Sequence, residues 1–324
     1  VERSRGLGDV YKRQALGKAF VASAVAWPMV LFGRVSDRFG KGMRSAPRDA
    51  LIAADVPHDS LGRAFGFHRA GDSLGAVVGP LIGLIALNIL NGDVRAALWW
   101  ALVPAVLSAL LTIFVRDDRS VDDPDLTIHP HASEALPREF RRVVFVLVVI
   151  ALVNFTDALL LLRVAEIGFS TTQVVGAYIV FNAVYTLASY PVGALADRWP
   201  KNVVYAVGLC AFAVGYLGLG MIGRGIGVYV FVGVYGLFPA FTDGVGKAWI
   251  ASLVDRAHLG RAQGVYQAFN NGAILFAGLW AGLIWNLGPG DGKLPLLISG
   301  AVAGLAATAL FVKHPVSNVV STSP

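Results

Sequence analysis

Five basic residues, Arg34, Arg38, Lys41, Arg44 and Arg48, recur every three or four positions in "GRVSDRFGKGMRSAPRDALIA" (33–53), together with Asp37 and Asp49. At 100° per residue the seven charges share an arc of about 140°, opposite Val35, Phe39, Met43, Ala46 and Ala50. A cationic stripe of this kind either binds the phosphate or carboxylate of a solute or neutralises carboxylates on neighbouring helices. Asp37 can pair with Lys41 at i,i+4 and with Arg34 at i,i−3, which leaves the face positive. Three carboxylates are candidates for carrying a proton. Asp72, in "HRAGDSLGAVVG", follows His68 and Arg69 by one turn, well inside an apolar helix, so desolvation and Arg69 compete over its charge. Asp157 belongs to a second set with Arg163 and Glu166, in which Asp157 sits mid-helix and Glu166 near an outer, solvated end. Asp243 stands at i,i+4 from Lys247, a spacing that serves a structural ion pair as readily as a functional one.

These groups need a scaffold, and the composition says which solvent it meets. Of 324 residues, 56% are hydrophobic and only 15% charged, whereas soluble domains average about 25% charged residues. Apolar segments of at least about 18 residues, enough to cross a bilayer, recur at 141–167, 172–196, 203–222, 225–254, 262–287 and 294–312. The chain is expected to be an all-α, polytopic membrane protein. Its net charge of +6 is the excess that basic cytoplasmic loops produce, and no nucleic-acid partner is expected. The lone Cys210 excludes an intramolecular disulfide. His129 and His131, two ligands in a solvated loop, make a poor metal site, and neither a metal nor a cofactor is expected. Trp99, Trp100 and Trp285, near helix ends, read as interface anchors. Residues 1–14, "VERSRGLGDVYKRQ", are polar throughout, and "DVYKRQ" resembles the translation of a transposon end used in DNA library preparation. They are read as foreign to the protein, which is then truncated at its start.

An internal repeat organises the rest. Offset by 198 positions, "ALIAADVPHDSLGRAFG" (50–66) aligns without a gap on "AWIASLVDRAHLGRAQG" (248–264), with nine of seventeen residues identical. The same offset lays the basic stripe on an apolar spanning segment. The stripe is therefore placed within the membrane rather than in a cytoplasmic loop, facing protein or water, because each unpaired charge in lipid would cost roughly 2.5–3.5 kcal/mol. Asn270 is the repeat partner of Asp72. Helices are expected at 27–56, 63–90, 96–116, 141–167, 172–196, 203–222, 225–255, 262–287 and 294–312, after a helical tail at 15–25. The side richer in Lys and Arg, including the polar linker 117–140 and the tail 313–324, is cytoplasmic.

A duplicated bundle with a long cytoplasmic linker resembles the major facilitator superfamily. "GALADRWPK" (193–201) is similar to that family's loop motif between the second and third helices of a half, through Gly193, Leu195, Asp197, Arg198 and Lys201. Pro200 and Asn202 depart from it. The resemblance implies a gating role in which Asp197 caps a neighbouring helix, the one opening near Gly260 and Arg261. "GAVVGPLIG" (75–83) resembles a fifth-helix motif associated with antiporters, where Gly75, Gly79 and Gly83 allow close packing and Pro80 bends the backbone. On this reading residues 15–116 are what remains of a first half lacking two and a half helices, and 141–312 form a six-helix second half. The most similar subgroup is poorly characterised and prokaryotic.

The resemblance implies a monomeric secondary transporter in the prokaryotic cytoplasmic membrane, moving a small solute by alternating access with proton coupling, as an antiporter or efflux carrier. Arg34, Arg38, Lys41, Arg44 and Arg48 would bind an anionic solute, and Asp72, Asp157 and Asp243 would carry the proton. The competing function is a membrane enzyme acting on a phosphorylated or lipid-linked substrate. Such an enzyme needs a nucleophile with its base, a metal cluster or paired acidic motifs, and the sequence displays none.

Overall fold

The computed structural model describes residues 28–29, 45–100, 102–111, 135–287 and 291–312. Arg34, Arg38, Lys41 and Arg44 lie outside the described residues, so only Arg48 of the stripe is seen. Every regular element among the described residues is helical. The chain is helical over 45–55 (α1) and stops before Pro57, whose ring disfavours helical geometry in the residue ahead of it. A 3-10 turn, His58–Ser60, leads into α2 (Leu61–Ile89), with Pro80 inside it. At its end Asn91 and Gly92 turn left-handed, with φ of 52° and 83°. Asp93 then accepts hydrogen bonds from the amides of Arg95 (2.9 Å) and Ala96 (3.1 Å), capping α3 (Val94–Trp100), which is followed by α4 (Leu102–Leu111).

The remaining helices are α5 (Arg138–Ala151), α6 (Asp157–Glu166), α7 (Thr171–Arg198), α8 (Lys201–Met221), α9 (Gly227–Ala251), α10 (Leu259–Leu283) and α11 (Lys293–Val312). Boundaries from α7 onward fall within a few residues of expectation. The segment 141–167 does not form one spanning helix. It breaks at 152–156, where Trp280 of α10 donates its indole N–H to the Leu152 carbonyl (2.8 Å). Thr156 caps the restart through the Ala158 amide (3.4 Å). Asp157 is thus the first residue of a ten-residue helix rather than a mid-helix carboxylate. A capping box closes the start of α7, the Ser170 hydroxyl accepting from the Gln173 amide and the Gln173 side chain from the Ser170 amide. Among the described residues five helices are long and apolar enough to cross a membrane: α2 with its leading turn, α7, α8, α9 and α11. Helix α10 carries Gln263, Gln267, Asn270 and Asn271 and is not one of them.

Residue contacts divide the chain into two units, one within Val1–Leu51 and Val78–Ala135, the other within Ile52–Val77 and Leu136–Pro324. In the second unit α9 packs on α7 and α8, and α11 on α8. Helices α8 and α9 approach where Gly208 and Gly215 remove side chains, since a Cβ on them would come within 2.7 Å of Phe241 and 2.8 Å of Tyr235. With no hydrophobic drive to associate in lipid, close backbone contact of this kind holds helices together. The start of α2 belongs to this unit and crosses α7 in the same way. A Cβ on Gly62 or Gly193 would overlap the other's carbonyl, and one on Gly66 would lie 2.5 Å from the Ser189 carbonyl oxygen. At Gly75, Gly79 and Gly83, where close packing was expected, a Cβ would meet no described atom within 4 Å. Among the described residues the close approach of α2 lies at Gly62 and Gly66, about two and a half to six turns before those glycines.

Gly66→Val should lower the stability of the detergent-purified protein by about 1–3 kcal/mol through overpacking. Gly75→Ala should leave it unchanged or raise it by up to about 1 kcal/mol, because a helical glycine is entropically costly. The midpoints of thermal unfolding of the two variants check this.

Candidate functional site

Asp197 leaves the last turn of α7 almost buried, with its side chain 6% exposed. Its Oδ1 accepts from the Gly62 amide at 2.6 Å and its Oδ2 from the Arg63 amide at 3.0 Å. The Arg63 guanidinium adds a third contact at 3.1 Å and itself donates to the Ser60 hydroxyl at 2.9 Å. These amides are orphan donors of the first turn of α2, so a full negative charge sits on the positive end of a 29-residue helix. The helix capped is not the one opening at Gly260 and Arg261. It is its repeat equivalent, since Gly62 and Arg63 stand 198 positions earlier. Of the remaining motif residues, Gly193 lets the backbones meet, Arg198 is exposed at the end of α7, and Lys201 opens α8.

Further along the α2–α7 crossing the contacts turn polar. The Thr186 hydroxyl donates to the Ser73 hydroxyl (3.0 Å), which bonds the Arg69 carbonyl (2.8 Å). One residue before Thr186, the Tyr185 phenol donates to Asp243 of α9 at 2.7 Å, within electrostatic range of Arg69 and Asp72. Asp72 is not enclosed as expected. Its side chain is 48% exposed, and its Oδ2 lies 3.6 Å from His68 Nδ1 and 3.7 Å from Arg69. Lys247, one turn beyond Asp243, is buried, and its carbonyl accepts from the Gln263 amide group at 3.0 Å.

A second carboxylate of this unit, Asp157, is held the same way. Tyr235 of α9 donates to Asp157 at 2.8 Å, and its ring stacks on Phe181 of α7, centroids 5.3 Å apart and planes at 17°. Tyr216, Phe212 and Phe238 pack around it at 5.0–5.8 Å. Asp157 and Asp243 lie within electrostatic range of one another. Each of the two partly buried carboxylates accepts a hydrogen bond from one phenol, and Phe181 lies against both of those phenol rings.

The end of α6 nearest the 167–170 turn is tied down by Arg163, only 5% exposed. It donates to the carbonyls of Leu219 (3.4 Å), Ile222 (3.4 Å) and Asp291 (3.0 Å), with the Asp291 carboxylate 3.7 Å away. Glu166, expected to be merely solvated, accepts from the Trp285 indole at 2.9 Å. Trp285 is 5% exposed and is no interface anchor, whereas Trp99 and Trp100 are exposed. In the other unit Arg48 bonds the neighbouring, fully buried Asp49 through Nε and Nη2, both at 3.3 Å. Sequence reasoning passed over Tyr185, Tyr235, Thr186 and Ser73. Nothing in their spacing distinguishes them from core residues, and only the helix crossings bring them to the carboxylates.

The sequence matches the profile of the Major Facilitator Superfamily twice, over residues 14–162 and 144–323. It is 25% identical over 285 residues to an uncharacterised MFS-type transporter of Methanocaldococcus jannaschii, covering 86% of this chain and 71% of that protein. It is also 25% identical over 238 residues to an uncharacterised protein of Mycobacterium tuberculosis, covering 70% of this chain and 52% of its length. The fold is similar to the human organic anion transporter MFSD10, with a TM-score of 0.73 at 17% identity, covering 95% of this chain and 77% of that one. The proton:xylose symporter XylE aligns with a TM-score of 0.72 at 16% identity, covering 95% and 79%.

Asp197→Ala should destabilise the protein by about 1–2 kcal/mol, the loss of a charged helix cap. Arg63→Ala should cost under about 1 kcal/mol, since that half of the contact is solvated. Denaturant or thermal midpoints of the two variants, measured side by side, decide the order.

Proposed function

Because the chain belongs to the major facilitator superfamily, we propose that it carries a small solute across the membrane by alternating access, driven by proton movement. The observation carrying the proposal is the Tyr185–Asp243 contact at 2.7 Å, a carboxylate inside an apolar helix held by a neighbouring helix, with Arg69 and Asp72 in electrostatic range. Asp243 is assigned the coupling proton and Asp157 a supporting share of it. Asp72, more exposed, is assigned to the route by which protons arrive. The Asp197 clasp on α2 suits a gate. A charge at a helix end contributes up to about 2 kcal/mol, enough to bias two states and too little to lock one. The loop motif therefore acts by holding α2 against α7 in one state and releasing it in the other.

We further propose an anionic solute, recognised by the face bearing Arg34, Arg38, Lys41, Arg44 and Arg48. Arg48 has the weakest claim of the five, because Asp49 beside it already takes its charge. The setting is the cytoplasmic membrane of a prokaryote, and the working unit is a monomer.

The test is solute-driven proton flux in liposomes containing the purified chain and an internal pH dye, over a panel of organic anions. At least one anion should move protons, and Asp243→Asn should cut that flux at least tenfold while leaving solute exchange in place. Proton flux unaltered in Asp243→Asn, or solute flux indifferent to a pH gradient, would overturn the coupling assignment.

A further inference from the structure

Helix α6 is ten residues long and separated from α5 by the break at 152–156, so the backbone ladder of α5 does not hold it in register. Side chains do that work instead, and they act at its two ends. At the start, Asp157 accepts from Tyr235. Six residues and about 9 Å further on, the Arg163 guanidinium reaches three carbonyls on two other segments. Leu219 and Ile222 belong to the C-terminal end of α8, and Asp291 to the turn leading into α11. The carbonyls at the end of α8 are orphan acceptors at the negative end of that helix, where a buried cation is stabilised. The turn is itself shaped to present its carbonyl. Asp291 and Gly292 both have positive φ, 56° and 69°, a Cβ on Gly292 would overlap the Trp285 ring, and the Gly292 amide donates to the Trp285 carbonyl at 3.1 Å. Trp285 in turn donates to Glu166. The shortest contact of Arg163 is to backbone, at 3.0 Å, and the carboxylate of Asp291 is farther, at 3.7 Å. The guanidinium is therefore a strut between segments more than half of an ion pair.

We infer that Arg163 is a positioning residue: by clamping the far end of α6 to α8 and to the α10–α11 turn, it sets the Asp157 carboxylate against the Tyr235 phenol. The inference rests on the proton-coupling role proposed for Asp157. It adds that the geometry of that carboxylate is controlled from the other end of the helix. A rigid helix of under three turns transmits a loss of registration at one end to the other, and a hydrogen bond of 2.8 Å does not survive a shift of about 1 Å.

Two readouts on the full chain in lipid nanodiscs and liposomes test this. In Arg163→Ala, amide hydrogen exchange over 157–166 should rise at least tenfold while α9 and α11 stay as they are. The pH midpoint of proton-driven flux should move by at least half a unit, in the same direction as in Tyr235→Phe. Arg163→Lys, which keeps the charge but not the three-way reach, should recover less than half of either change. Asp291→Asn, which keeps the carbonyl, should change exchange less than twofold. Unchanged exchange in α6, an equal rise in every helix, or faster α6 exchange with an unmoved pH midpoint would each overturn the inference. Asp157→Asn with an unchanged pH profile would remove the coupling role itself, and the exchange data would then decide the clamp by themselves. Should Arg163→Ala fail to fold, Arg163→Gln carries the same comparison, since it keeps two N–H donors and loses the charge.

Discussion

Lipid offers nothing to a free backbone amide or a bare charge, and the described structure follows from satisfying both with the fewest groups. The meeting of α7 with the start of α2 shows how. Gly62, Gly66 and Gly193 let two backbones come close enough for one carboxylate, Asp197, to reach two amides at the helix end. The glycines and the carboxylate depend on each other. Side chains at the crossing would hold the helices apart and leave the amides unsatisfied, and without Asp197 the close approach would bury a helix end with no acceptor. Arg63 completes the contact from the solvated side and contributes least to it.

The same economy governs the interior. Asp157 and Asp243 each receive one tyrosine hydroxyl, from Tyr235 and Tyr185, and both phenols sit on helices that also supply the aromatic packing. A phenol is suited to this place because its ring joins the apolar core and its hydroxyl meets the carboxylate. Phe181 stacks on Tyr235 and also lies against Tyr185, with centroids 6.2 Å apart. One ring therefore touches the partners of both carboxylates, and a shift of α7 would be felt at both.

The break between α5 and α6 reads as part of this design. A continuous helix would carry Asp157 mid-span, with no orphan amides beside it. Restarting the helix there puts the carboxylate on a positive helix end, and the cost of the interruption is met by Trp280 on the Leu152 carbonyl and Thr156 on the Ala158 amide. The far end is then held by Arg163 rather than by backbone continuity, so a short element carries a phenol-bonded carboxylate at one end and a buried guanidinium near the other.

Hydropathy and the 198-residue repeat were sufficient to place the helices from α7 to α11 within a few residues, and the family motif singled out Asp197 as a carboxylate that caps a neighbouring helix. Both signals are local or self-referential. A spanning length depends only on consecutive apolar residues, and a repeat on the chain compared with itself. Which helix end Asp197 would cap was not legible, because Gly62–Arg63 and Gly260–Arg261 are the same letters in both repeats and only the packing of α2 on α7 separates them. Nor was the break in 141–167, since its stretch "LVNFTDALLLLR" is apolar enough to read as continuous and the side chain that stabilises the interruption comes from residue 280. Tyr185, Tyr235 and Trp285 looked like core or interface aromatics. Their hydrogen bonds join residues 58, 78 and 119 positions apart, and a distance of that kind is decided by how helices cross, which no single segment encodes.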